Sequence, residues 1–263
     1  MRKVLWILAI AVCIFLVAPA FVVIPLSLSK SPFLVFPPPG YTLNWYREFL
    51  SDPTWTGPLL RSLIVAAFVV LLSLVLGTAT AYAQSRGRKR VIRILGPFFV
   101  LPMVVPSLVF AVGAFLIATK LNLIGSLWLV VVGHTILALP FVVVYLGAAF
   151  QTSDHRLEQA AQTLGAPRFK AFLKITLPLI TPAVVASGVL AGLLSLDETV
   201  FALFLTSDSA PTLPVRMYSS IRYDLDPLVP VAAAITLAGT ILIVTFGTVA
   251  YRLTLRRLRG AGS

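Results

Sequence analysis

The sequence predicts an all-α integral membrane protein with six transmembrane helices and both termini in the cytoplasm. Three observations lead to this fold class. Of the 263 residues, 59% are hydrophobic and only 11% are charged, whereas soluble domains carry about 25% charged residues. Six apolar segments each reach the length of about 20 residues that crosses a bilayer. Lys and Arg concentrate on alternate connections between these segments. We interpret the whole chain, 1–263, as a single transmembrane domain.

The six apolar segments set the order of the predicted elements. They cover residues 4–28, 62–83, 94–118, 126–150, 179–205 and 229–251. The first is longer than the apolar core of a signal peptide, about 7–15 residues, so we expect a span that is not cleaved. The third contains Pro102 and Pro106. Each proline removes a helical hydrogen bond, so we expect this span to be kinked.

The positions of Lys and Arg predict how the chain is oriented. With the N-terminus inside, 15 of the 21 basic residues fall on the inner segments, as the excess of Lys and Arg on cytoplasmic loops requires. The connection between the fourth and fifth segments then lies in the cytoplasm. The same distribution accounts for the net charge of +12. We therefore expect membrane lipid around the chain and no nucleic-acid partner.

The longest polar interval between two apolar segments covers residues 158–178 and is called the elbow here. It predicts two short helices separated at Gly165 and Pro167, because glycine ends helices and proline begins them. Before the break, apolar residues recur at helical spacing; they are Leu157, Ala160, Ala161 and Leu164. Ser153 or Asp154 is suited to cap the first helix. Such a surface suits protein docking, and the alternative is an amphipathic connector on the lipid surface.

Ser195, Asp197 and Glu198 interrupt the otherwise apolar fifth segment. An ionised carboxylate at the bilayer centre costs at least about 2.5–3.5 kcal/mol, so these acids must face protein, water or a ligand, or bind a proton. One interpretation places them on a substrate pathway, and the other gives them a structural hydrogen bond or ion pair. A break in the segment at Ser195 would instead leave the acids near the outer mouth. For His134, in the fourth segment, a hydrogen bond between helices is the commoner role.

Motifs for chemistry are missing from the sequence. There is no G-x-x-x-x-G-K-[ST] phosphate loop, and two His and one Cys offer little for nucleophilic or metal catalysis. We expect no catalytic residue, no metal site and no cofactor. The chain is not expected to be an enzyme, and a partner must supply any ATP hydrolysis.

The elbow also carries a family resemblance. Ala160-Ala161, Gly165, Ile175 and Leu177-Pro178 resemble the EAA loop of permease subunits in ABC importers, with Gln159 where that loop has its name-giving Glu. The resemblance implies a type I importer permease (MetI-like) fold, with a permease core at 57–251 and a coupling loop at 151–178. It further implies a bacterial or archaeal inner-membrane location. The residues that would couple to an ATPase are Glu158, Gln159, Ala160, Ala161, Leu164, Gly165, Ile175, Leu177 and Pro178.

The same resemblance implies partners and a substrate class. The partners are an ATP-binding subunit, a second permease and an extracytoplasmic solute-binding protein. Residues 195–198, 212–217 and 226–227 resemble the spermidine/putrescine branch, which favours a polyamine, although permeases for ferric iron or phosphonate-type compounds share these features. A different class, an ion-coupled secondary transporter with Asp197 and Glu198 as the relay, is disfavoured because the two halves show no repeat of an interrupted acidic span.

Overall fold

A computed structural model describes residues 2–86, 89–223 and 226–260, and in that part the side chains other than those of 89–95, 97 and 256–260. The regular secondary structure of the described residues is helical apart from one isolated β-bridge between Ser29 and Tyr41. The helices are α1 (Arg2–Ser27), α2 (Asn44–Ser51), α3 (Pro53–Arg86), α4 (Lys89–Val104), α5 (Ser107–Lys120), α6 (Leu127–Thr152), α7 (His155–Thr163), α8 (Arg168–Ala171), a π-helical turn (Phe172–Thr176), α9 (Leu177–Asp197), α10 (Val200–Leu205), α11 (Leu213–Tyr223) and α12 (Leu228–Gly260).

The number of spans agrees with the sequence, but the third span differs in form. Within the described residues, five helices are long and apolar enough to cross a membrane. A sixth span exists if the pair Phe98–Val104 and Ser107–Lys120 counts as one. These two helices meet at 110°, so the expectation of one kinked helix was wrong. Pro106 is extended (φ −54°, ψ 135°), and the residue before a proline is disfavoured in the α region, which together break the helix.

The fifth span also differs from the prediction at both ends. The second short helix of the elbow does not end before the membrane. Instead, α8, the π-helical turn and α9 form one candidate span from Arg168 to Asp197. At the other end the helix does not continue to residue 205, because Glu198 is extended and a separate helix, α10, begins at Val200.

The chain forms two compact units, and the first comprises Met1–Leu60 and Leu213–Ile241. Its core contains Phe49 and Trp55, whose rings lie 5.8 Å apart, packed with apolar residues from the start of α12. The Trp55 indole N–H donates to Asp226 at 3.2 Å, and the Arg216 guanidinium lies over the Trp55 ring at 5.0 Å. Aromatic packing, a hydrogen bond from Trp55 and a cation–π contact thus order this unit.

The second unit comprises Arg61–Thr212 and Leu242–Ser263. Its centre is α6, which is apolar on all sides and buries residues along its whole length, from Val130 to Phe150. A helix of that kind belongs in the interior. It packs against α9, and also against α4, α5 and α10. Gly133 of α6 lets the Phe201 ring of α10 approach, since a Cβ there would lie 2.5 Å from Cδ1 of that ring.

Candidate functional site

The first helix of the elbow, α7, begins and ends with defined capping interactions. The Asp154 carboxylate accepts a hydrogen bond from the backbone N–H of Arg156 at 2.9 Å, so Asp154 rather than Ser153 is the cap. At the other end Gly165 has φ +91°, a conformation that glycine adopts without steric cost. Gly165 N donates to Gln162 O, and Ala166 N donates to Ala161 O, both at 3.0 Å. This pair of bonds is a Schellman motif, and it confirms that the first helix stops at Gly165.

The outer face of the elbow is apolar and exposed. Leu164 is 89% exposed and Phe169 is 72% exposed, and they flank the Gly165 turn. Leu157, Ala160, Leu173 and Pro178 are also exposed, and Ala161, Ile175 and Leu177 are partly buried. Large apolar side chains with this exposure contact either lipid or another protein. Apart from the two neighbours of Gly165 in the chain, no described residue has an atom within 4 Å of a Cβ placed there, so the turn leaves space for a closely approaching surface.

Glu158 lies on the opposite, inner side of the elbow. Its carboxylate is 1% exposed. One oxygen accepts a hydrogen bond from the Tyr82 hydroxyl at 2.5 Å, and the other accepts from the Thr176 hydroxyl at 2.8 Å. Arg86 Nε and His155 Nδ1 lie 3.8 and 3.9 Å from that second oxygen. A buried carboxylate is tolerated when it is paired and hydrogen-bonded in this way.

The Glu158 cluster ties three elements together. Tyr82 and Arg86 belong to α3, Glu158 to α7, and Thr176 to the π-helical turn that leads into α9. The Tyr82 ring also contacts Phe172 at 5.1 Å. The Glu158 side chain therefore holds the elbow against two spans, and its predicted part in ATPase coupling stays a prediction. Gln159, next to it, is exposed and lines the same cavity as Glu158 and Tyr82.

The three residues that interrupt the apolar fifth segment have different surroundings. Ser195 is buried in α9, and its hydroxyl lies 3.1 Å from Nδ1 of His134 in α6. Asp197 ends α9 and is exposed. Glu198 is half-buried, and its Oε1 accepts a hydrogen bond from the backbone N–H of Phe201 at 3.0 Å, which caps α10. Among the described residues, neither carboxylate has a Lys or Arg nitrogen within 4.0 Å.

A cavity of about 340 Å³ joins these residues to the broken third span. His134 and Glu198 line it together with the break between α4 and α5. His134 is 3% exposed, and among the described residues its Nε2 has no hydrogen-bond partner. The hydrogen bond expected for His134 is therefore present on Nδ1, and no group in this part of the chain pairs with the other ring nitrogen.

Sequence reasoning found the elbow and the acids but missed their partners. Tyr82 and Thr176 lie 76 and 18 residues from Glu158, and nothing in their local pattern relates them to it. The one available signal was Glu158 itself, because a carboxylate between apolar helical positions needs buried donors. The pairing of His134 with Ser195, 61 residues away, also depends on tertiary packing.

Comparison with known proteins places these features in a family. Residues 70–260 match the family described as "Binding-protein-dependent transport system inner membrane component". The chain is 31% identical over 205 residues to the spermidine/putrescine transport system permease protein PotC of Escherichia coli (strain K12), covering 78% of each chain. It is 32% identical over 242 residues to the putrescine transport system permease protein PotI of the same strain, covering 88% of this chain and 84% of the relative.

A solved structure shows the same fold. A chain of a bacterial alginate ABC transporter, crystallised in complex with an alginate pentasaccharide-bound periplasmic protein, superposes with a TM-score of 0.74. The match covers 96% of this chain and 94% of the other at 16% identity. The predicted all-α permease fold is thereby confirmed.

These comparisons also choose between the classes of function that the sequence left open. They favour a permease subunit over an ion-coupled carrier. The chain is a transport component rather than an enzyme, and it is a multi-pass protein of the inner membrane. The predicted resemblance to permease subunits of ABC importers is confirmed at the level of the family. The chain belongs to the family of inner-membrane components of binding-protein-dependent transport systems.

Proposed function

We propose that this permease pairs with a second permease, homologous or identical, to enclose a translocation path, and that two ATPase subunits dock on the elbows of the pair. ATP binding closes the ATPases, and each elbow transmits that closure to its spans as a rigid body. A solute-binding protein delivers the substrate from outside. In this arrangement both termini and the elbow lie in the cytoplasm, in line with the distribution of Lys and Arg.

The two-sided construction of the elbow carries the proposal. Its outer side presents Leu164 and Phe169 around a turn that leaves room for another surface. Its inner side is fixed to α3 and to the start of α9 by the buried Glu158. A force applied to the exposed side therefore reaches two spans through hydrogen bonds and ring contacts. An amphipathic connector resting on lipid would not need such an anchor.

For the substrate we propose a polyamine such as spermidine or putrescine, with Asp197 and Glu198 on the path. Two relatives that match most of the chain are named for these compounds. The chemistry of this chain agrees, because two carboxylates without basic partners among the described residues attract cations. A phosphonate would be repelled by the same charges.

The test is uptake by the assembled complex in proteoliposomes. The full chain is reconstituted with its ATPase, second permease and binding protein, and radiolabelled putrescine and spermidine are supplied outside. Uptake should require ATP inside the vesicles and continue when an ionophore collapses the proton gradient. Uptake that stops with the gradient, or that proceeds without ATP, would refute the proposal.

Asp197→Asn probes the pathway role in the same vesicles. Asp197 is exposed at the end of α9 and makes no ion pair with another described residue. Removal of its charge should therefore lower uptake several-fold while the amount of assembled complex stays near that of the wild type. A loss of assembly with normal uptake per complex would assign Asp197 a structural role instead.

A further inference from the structure

We propose that His134 and Glu198 form a binding point for one primary ammonium group inside the cavity at the broken third span. The inference rests on the proposed function and makes it more specific, because it names the atoms that would hold the substrate. It also assigns this contact to Glu198 and not to Asp197, because Asp197 does not line this cavity.

The first argument is electrostatic. Glu198 is half-buried and is the only charged residue among the described residues that line the cavity. A carboxylate in such a place is stabilised by a nearby cation. The hydrogen bond from Phe201 N engages Oε1, which leaves Oε2 available. A cationic ligand in the cavity would supply the missing charge.

The second argument comes from the buried imidazole. His134 Nδ1 is engaged by Ser195, and among the described residues the buried Nε2 has no hydrogen-bond partner. A buried polar atom without a partner is unfavourable, so a position with this geometry favours a ligand. With Nδ1–H donating to Ser195 Oγ, Nε2 offers a lone pair to an N–H donor. Ser195 then acts as a positioning residue that selects the tautomer.

The third argument is that the number of acceptor groups and the walls of the cavity match an alkylammonium. An alkylammonium carries three N–H donors, and three residues with acceptor groups line the cavity: Glu198, His134 and Ser107. The rest of the wall is largely apolar, with Pro102, Pro106 and Phe141 among its members, and it suits the methylene chain behind the ammonium. A volume of about 340 Å³ falls within the range of small-molecule sites, about 300–1,000 Å³.

The break in the third span helps to form this site. In a continuous helix, residues 104–107 would bond to their own helix. Here the chain turns by 110° between α4 and α5, and residues 102–107 form one side of the cavity. Irregular backbone at membrane depth is tolerated where it lines a cavity.

The experiment measures the KM for putrescine and for spermidine in the reconstituted complex. Glu198→Gln is the main variant, because its amide oxygen can still accept from Phe201 N while the charge is lost. We expect the KM to rise at least tenfold for both amines, with a similar factor because one ammonium is held. Asp208→Asn, which removes an exposed charge beyond α10 that does not line the cavity, is the control and should stay within twofold of the wild type.

A double-mutant cycle tests whether the two residues hold the same group. His134→Phe keeps a ring and removes both nitrogens, and we expect a KM increase of at least threefold. The combined variant should show less than the product of the two single effects, since both contact one ammonium. Glu198→Asp, which keeps the charge, should recover part of the affinity lost in Glu198→Gln.

The outcomes separate this inference from the proposed function. Wild-type uptake of both amines with an unchanged KM in Glu198→Gln would overturn the binding point alone. Multiplicative effects in the double variant would also overturn it. If the wild-type complex shows no ATP-dependent uptake of either amine, both the substrate class and the binding point are wrong.

Discussion

At the scale of single residues, the side chain that fixes the elbow to the spans is Glu158. Its carboxylate is buried and hydrogen-bonded to Tyr82 of α3 and to Thr176 before α9. Neighbouring Gln159 is exposed, although it lines the same cavity as Glu158 and Tyr82. Of two adjacent residues of one helix, one is thus buried and hydrogen-bonded and the other is open to solvent.

We predict that Glu158→Ala destabilises the chain. The change leaves the hydroxyls of Tyr82 and Thr176 without their acceptor, at about 1–3 kcal/mol each. The melting temperature of the purified full chain, followed by fluorescence in detergent, should fall by about 5 °C or more. Gln159→Ala is the matched control and should shift it by about 1 °C. Equal shifts in the two variants would show that the Glu158 carboxylate does not stabilise the chain.

Gly165 gives a second prediction at this scale, on docking. At φ +91° a β-branched residue is strained by about 1–3 kcal/mol, whereas Asn tolerates the left-handed region. Gly165→Val should therefore reduce the ATPase recovered with the tagged permease at least fivefold, with normal insertion into the membrane. Gly165→Asn should retain most of it. Full recovery with Gly165→Val would exclude this turn from docking.

The role of a residue was predictable only where it depends on residues nearby in the sequence. The Gly165 turn and the Asp154 cap follow from residue type and position, and both are confirmed. The burial of Glu158 was not predictable, because its donors come from distant segments. For His134 the sequence indicated a hydrogen bond between helices, but neither its partner Ser195 nor its unpaired second nitrogen.

At the scale of elements, helix contacts depend on small residues at particular positions. Gly133 and Gly147 both lie in α6. A Cβ on Gly133 would lie 2.5 Å from the Phe201 ring, but a Cβ on Gly147 would meet no described atom within 4 Å beyond its own helix backbone and chain neighbours. The same substitution therefore has different consequences at two positions about four turns apart in one helix.

We predict that alanine changes the melting temperature differently at these two glycines. Gly133→Ala should push α10 away and lower the melting temperature of the detergent-purified chain by several degrees, since overpacking costs about 1–3 kcal/mol. Gly147→Ala should leave it unchanged or raise it, because alanine favours a helix by about 1 kcal/mol. A fall of the same size in both variants would contradict the packing of α6 against α10.

The lengths of the apolar segments predicted which spans exist. Proline predicted where a span is interrupted, but not the angle between its two parts. Pro102 and Pro106 indicated a disturbed third span, and the chain turns there by 110°. Local sequence does not determine that angle, which depends on the packing of α4 against α6 and of α5 against α10. In the same way, the π-helical turn at Phe172–Thr176 makes the elbow continuous with the fifth span, for which the sequence offered no signal.

At the scale of the whole molecule, the chain is an inner-membrane permease subunit whose sequence has no G-x-x-x-x-G-K-[ST] phosphate loop. In the proposed complex, energy enters through a surface that the ATPase touches. The elbow is suited to that role because it is exposed and is also bonded to α3 and to the turn before α9. Composition was sufficient to predict a membrane protein and the elbow residues to predict the family, whereas the proposed substrate site around Glu198 depends on tertiary packing.

The most direct measurement labels the tip of the elbow from each side of the membrane. Leu164→Cys in a Cys13→Ser background has one thiol, because Cys13 is the only natural cysteine. A membrane-impermeant maleimide should label it in inside-out vesicles but not in right-side-out vesicles, and bound ATPase should protect it. Labelling from the outer side, or labelling in inside-out vesicles that the ATPase leaves unchanged, would contradict the proposal that the elbow is the ATPase docking site.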